Sequence, residues 1–175
     1  MKQVYNLIFL LVIVLGISQN SAISQTTSFV SPNYEITFPN TWELDTSNAR
    51  GTEFFIYTKS EIKREQKSQI ISLIVQNLAS QNIDIVKYKQ ITERQMAGLG
   101  SSSKIFKSEI IQSTKGRYFQ MLYSITQDNR KLKGTQICFI KNEKAYLITF
   151  TSDFNKFEQY RKVGEIILNS FSVYK

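Results

Sequence analysis

The stretch YEITFPNTWEL, residues 34–44, is the one whose reading decides the fold. Tyr34, Ile36 and Phe38 alternate with Glu35 and Thr37, the period of two that puts apolar side chains on one face of a half-buried strand. Pro39 has no N–H to give a ladder and Pro39-Asn40 is a turn dipeptide, so the strand stops there. The chain is expected to reverse at this point. Trp42, the single tryptophan of the sequence, and Leu44 would then return to the same apolar layer.

Working outward, 53–58 and 70–78 are rich in β-branched and aromatic residues and read as two further strands. The charged segment 60–69 between them holds one apolar residue, Ile62, and reads as an exposed loop. Asn82 or Asp84 is placed to cap a helix running to about Leu99, with Ile85, Tyr88, Ile91, Met96 and Leu99 at helical spacings and Gly98 and Gly100 ending it. Four strands follow at 104–112, 116–126, 134–140 and 145–151. Their joints, 113–115, 127–133 and 141–144, are polar and short enough for antiparallel neighbours. Asp153 is expected to cap a closing helix with a stripe of Phe157, Tyr160, Val163, Ile167 and Phe171, flanked by Phe154, Ile166 and Leu168. Glu158 and Lys162 stand four apart in the favourable order for an ion pair. So many large apolar groups must dock, because left exposed they would exceed a few hundred Å² of patch. The order predicts an α+β fold, a central antiparallel β-sheet flanked by helices.

The aromatic-x-Ile-x-Phe-Pro-x-x-Trp pattern at 34–42, the long meander, the strand AYLITFT at 145–151 and the helix end IILNSF at 166–171 together resemble the PsbP-like superfamily. The similarity spans about Phe29 to Phe171. The residues that carry it are structural: Ile36, Phe38, Pro39, Trp42, Tyr146, Ile148, Phe150 and Phe171. The resemblance implies an α/β/α sandwich with helices on both faces of the sheet, and binding or scaffolding more than chemistry, with no functional residue to carry over.

The N-terminus gives an address. Lys2 precedes an unbroken apolar block of eleven residues, 7–17. That is too short for a bilayer-spanning helix of about 20 residues and fits the roughly 7 to 15 of a secretory signal. Ala22-Ile23-Ser24 supplies small residues for cleavage after Ser24, so 1–24 is expected to be a signal peptide and 25–175 one domain. An uncleaved N-terminal anchor is the competing reading, disfavoured by the shortness of the block. No cysteine follows the block, so lipid attachment is not expected, and the protein is expected in the periplasm or secreted. The only cysteine, Cys138, lies in the strand-like run QICFI and reads as a small buried apolar residue. No intramolecular disulfide is possible with one cysteine.

The formal charge of +8 is uneven. Residues 25–58 hold one arginine against four acids, a net of −3, whereas 59–175 hold twenty bases against ten acids, a net of +10. Such asymmetry favours an anionic partner, a membrane surface, an envelope polymer or an acidic protein. The sequence contains no histidine, which removes the usual general base, the histidine-containing triads and the commonest metal ligand. Thiolate zinc sites need more than one cysteine. Glu35, Glu43, Asp45 and Glu53 fall at solvent-facing or turn positions and are not spaced as an acid and nucleophile pair. Gly98-Leu99-Gly100 lacks the preceding strand and third glycine of a phosphate loop. KGRYFQMLY at 115–123 superficially resembles an RNA-recognition signature, but Arg117 stands where an aromatic is needed, and nucleic acid is not an expected partner.

The most basic locale, 130–144, divides between two turns, and the segment carrying Arg130, Lys131 and Lys133 is the candidate contact for a partner or anion. The expectation is an exported, monomeric, non-enzymatic binding or scaffold module without cofactor. The alternative is a small-ligand carrier or enzyme using a pocket between a helix and the sheet, by carboxylate or tyrosine chemistry.

Overall fold

The computed structural model describes residues 25–59 and 69–174. The expected signal peptide at 1–24 and nearly all of the expected loop at 60–69 lie outside these described residues. In chain order the elements are β1 (Thr26–Val30), β2 (Tyr34–Pro39), β3 (Trp42–Asp45), β4 (Phe54–Thr58), β5 (Gln69–Asn77), α1 (Ile85–Gly98), β6 (Ser103–Ser113), β7 (Gly116–Gln127), β8 (Arg130–Lys141), β9 (Lys144–Asp153), α2 (Phe157–Ser170) and β10 (Ser172–Val173).

The strands make two antiparallel sheets, a large one ordered β3-β4-β5-β9-β8-β7-β6 and a small one ordered β1-β2-β10. The architecture is therefore α+β, with α1 and α2 on opposite faces of the large sheet. Alternation along the strands fixes which side chain serves which helix. In β9, Tyr146, Ile148 and Phe150 face α2 and the small sheet, while Ala145 and Leu147 face α1. In β8, Ile137 and Phe139 face α2 and Cys138 and Ile140 face α1.

The opening stretch behaves differently from the expected reversal within one layer of strands. β2 and β3 share the core but not a sheet: β2 pairs with β1 and β10, and β3 pairs with β4. Pro39 and the two residues after it carry the chain from the small sheet to the large one. Tyr34, Ile36, Phe38 and Trp42 are all buried in the one layer, with Leu44 packed against it. Tyr34 is its hub, its ring centroid 5.8 to 6.4 Å from those of Phe29, Phe54, Tyr146 and Phe171, separations at which aromatic pairs add to simple burial. Burial and the nearby Glu53 carboxylate push the Tyr34 phenol up to about 12.

Helix α2 lies close on β9 because Gly164 presents no side chain to the Phe150 ring; a Cβ there would stand 2.6 Å from Phe150 Cδ1. Phe157, Ile167 and Phe171 of the predicted stripe are fully buried and Leu168 nearly so, whereas Ile166 is 58% exposed. Ser170 ties the helix end to β2, accepting from Thr37 N and donating to Thr37 O, both at 2.9 Å. Two expectations at this helix fail. Asp153 does not cap it: the residue ends β9, the N-cap is Lys156, and the Asp153 carboxylate accepts from Arg130 instead. Glu158 turns from Lys162 towards Lys133 at 2.7 Å and Arg161 at 3.5 Å, because the sheet brings a half-buried ammonium closer than the exposed one a turn away.

Candidate functional site

The segment 127–133 is not a loop. Asp128 and Asn129, with φ of 50° and 61°, make a two-residue turn whose twist suits a tight hairpin, and Arg130, Lys131 and Lys133 lie in β8, paired with Gln127, Thr126 and Ser124 of β7. Sequence reading mistook their polarity for a loop, whereas they occupy a strand end where Arg130 and Lys131 are exposed and Lys133 is partly buried.

Their charges are not equally free. Arg130 Nη2 donates to Asp153 Oδ1 at 2.6 Å and Lys133 Nζ to Glu158 Oε1 at 2.7 Å, the second linking β8 to α2. The hydrogen bond from Lys133 holds the Glu158 carboxyl below the usual range. Lys131 stands 4.2 Å from the centroid of the Phe154 ring and has no carboxylate partner among the described residues. Lys104 of β6 stands 5.1 Å over the Phe106 ring, and Lys133 5.2 Å from the same ring. Pairing between β6 and β7 slips between Ile105 and Lys107, so Phe106 sits at an irregularity in an edge strand; bulges of this kind re-aim side chains. Phe106 is 41% exposed. The corner thus joins β6, β8 and the approach to α2: Lys104, Lys131 and Lys133 seated on aromatic rings, the exposed Phe106 between two of these ammoniums, and Arg130 and Lys133 paired with carboxylates. Lys104 and Phe106 were missed by sequence reading, although the broken alternation at IFK, residues 105–107, marks the place.

On the opposite face of the sheet, α1 and the strands enclose a cleft of about 240 Å³. Asp84 starts the helix, its carboxylate accepting from Lys87 N at 2.8 Å. Tyr88, Thr92, Gln95, Met96 and Leu99 form the helix wall, and Gln76, Met121, Tyr123, Ile125, Gln136 and Leu147 the sheet wall. Tyr88 Oη donates to Gln76 Oε1 at 2.8 Å. Burial pushes the Tyr88 phenol and the Cys138 thiol well above their ordinary ranges.

Among the described residues no group of three or more His, Cys, Asp or Glu side chains is arranged to hold a metal ion, and no helix is long and apolar enough to cross a membrane.

With this geometry in view, comparison with solved structures is decisive for the fold. Cyanobacterial PsbP (CyanoP) from Synechocystis sp. PCC 6803 superposes with a TM-score of 0.64 at 15% identity, over 91% of this chain and 99% of that one. The fold is PsbP-like. LpqN of Mycobacterium tuberculosis, involved in cell envelope biogenesis, shares it with a TM-score of 0.60 at 11% identity, over 86% of this chain and 91% of that one. So does the Saccharomyces cerevisiae Ran-binding protein Mog1p, with a TM-score of 0.57 at 9% identity, over 86% of this chain and 96% of that one. No protein-family model and no curated protein sequence matches the chain. At such identities the likeness is one of PsbP-like architecture, which hosts different roles on one frame.

Proposed function

We propose that the protein is an exported, non-enzymatic binding module that engages an anionic polymer of the cell envelope through the corner of Lys104, Phe106 and Lys131, with Arg130 and Lys133 at its rim. The single observation that carries this reading is that Lys104 and Lys131 sit over aromatic rings with no carboxylate partner among the described residues. A ring held under an ammonium fixes the charge at the surface while leaving it free to attract an anion. Export is supported by the leader pattern at 1–24. A non-enzymatic role is supported by the complete lack of histidine and by the engagement of Arg130, Lys133, Asp153 and Glu158 in structural ion pairs. The PsbP-like neighbours include a Ran-binding protein and a protein of envelope biogenesis, roles in keeping with a binding frame.

The test is retention on immobilised polyglutamate at low salt. Lys104→Gln combined with Lys131→Gln is expected to elute at clearly lower salt than the unsubstituted protein. Lys87→Gln combined with Arg94→Gln, the same charge change on α1, is expected to leave retention nearly unchanged. Equal loss from both pairs would mean that net charge, not this corner, does the binding.

A further inference from the structure

The cleft under α1 holds a polar group that its surroundings do not explain. Gln136 immediately precedes the apolar run at 137–140. It is 92% buried, and its Nε2 is fully enclosed with no hydrogen-bond partner among the described residues. An amide donor left in this state costs about 1 to 3 kcal/mol, so a buried glutamine without a partner marks a place where something else supplies the acceptor. Gln136 lies on the same face of β8 as Cys138 and Ile140, which pack with α1, and is part of the cleft lining. Nearby, the Tyr88 hydroxyl donates to Gln76 Oε1 and the Thr92 hydroxyl to Tyr88 O.

The rest of the lining specifies the ligand's body. None of its residues carries a charged side chain, and it includes Met96, Met121, Ile125, Leu147 and the 52% exposed Leu99 at the rim. Two thioethers beside two phenol rings favour a flat aromatic guest, since sulfur and ring edges attract. A charged guest would lose its hydration with no countercharge to replace it. The volume of about 240 Å³ is ample for one ring with a short substituent.

We infer that the cleft between α1 and the sheet is a binding site for a small, neutral, aromatic carbonyl compound, whose oxygen accepts from Gln136 Nε2 with the enclosed amide turned into the cleft, while its ring lies among Met96, Met121 and Tyr88. This site is separate from the cationic corner, on the other face of the sheet, and stands or falls without it.

Acetophenone and isopropylbenzene serve as matched probes, nearly equal in shape and differing in the acceptor. Titrated into the isotope-labelled protein and followed by NMR, acetophenone is expected to shift the Gln136 side-chain amide signals and the backbone signals of the lining residues. It is expected to bind about tenfold more tightly than isopropylbenzene, the factor of one neutral hydrogen bond. In Gln136→Leu the two probes are expected to bind equally. Filling the wall with Met96→Trp is expected to abolish both. Equal affinity of the two probes for the unsubstituted protein, or shifts scattered outside the cleft, would overturn the assignment. That comparison needs no variant, so it decides the matter even where a substitution prevents folding.

Discussion

Gly164 is where a single hydrogen atom in place of a methyl group sets the distance between helix and sheet. Alanine at 164 gains about 1 kcal/mol in helix propensity, yet its Cβ would meet the fully buried Phe150 ring at 2.6 Å, and overpacking a closed core costs typically about 1 to 3 kcal/mol. Packing wins. Gly164→Ala is expected to lower the denaturant midpoint by an amount equivalent to up to about 2 kcal/mol with an unchanged slope; a raised midpoint would show that α2 does not pack against Phe150. Cys138 gives the residue scale a pH signature. Its unfolded thiol ionises from the ordinary value of 9.0, while burial keeps the folded thiol protonated well beyond it. Folding stability from this group is therefore complete below about pH 9 and is lost as pH rises above it. Cys138→Ala is expected to flatten the alkaline fall of the melting temperature between about pH 8 and 10.5. A slope unchanged by the substitution would place the titration elsewhere. The burial of Cys138 was legible from its strand context; the role of Gly164 was not, because a glycine inside an amphipathic helix carries no mark of the ring opposite it.

At the scale of elements, β2, the strands from β4 to β9 and both helices were legible from periodicity and their ends were not, while β1 and β10 were not read as strands. The polar run at 127–133 looked like a loop because charged side chains suit loops and strand ends alike, and the left-handed pair Asp128-Asn129 that closes the hairpin has φ values no composition reveals. Asn129→Gly is expected to be neutral or slightly stabilising, since glycine favours the same φ; Asn129→Val is expected to cost about 1 to 2 kcal/mol by forcing a β-branched residue into that region. Chemical denaturation of the two variants checks this, and equal stability would contradict the turn geometry. Asp84 was one of two proposed caps, and the structure selects it. Asp84→Ala is expected to cost about 1 kcal/mol, read in the same experiment, with Asn82→Ala nearly silent. Asp153 misled for a physical reason: an aspartate ahead of a helix can cap it or join an ion pair, and Arg130, its neighbour only through the β8 and β9 pairing, decides between them.

For the molecule as a whole, sequence patterning gave the α+β class and the central antiparallel sheet, while the division into two sheets was invisible. β1 is short, largely exposed and pairs locally with β2, and β10 is a two-residue strand that reaches β2 only after distant parts of the chain meet. The cationic corner was half legible: Arg130, Lys131 and Lys133 stood out as a charge run, but Lys104 and Phe106 join them through the β6, β7 and β8 pairings, and Gln136 faces its cleft for the same reason. The pairings also couple the two cores, Trp42 on the α2 side and Cys138 on the α1 side. The measurement that tests the central claim most directly is the salt dependence of equilibrium binding to polyglutamate, compared between the unsubstituted protein and Lys104→Gln/Lys131→Gln. Charge attraction at an exposed corner fades as the screening length shrinks from about 30 Å at 0.01 M to about 3 Å at 1 M ionic strength. The account predicts a steep loss of affinity with salt for the unsubstituted protein and a markedly shallower one for the double variant. Two parallel curves would contradict it.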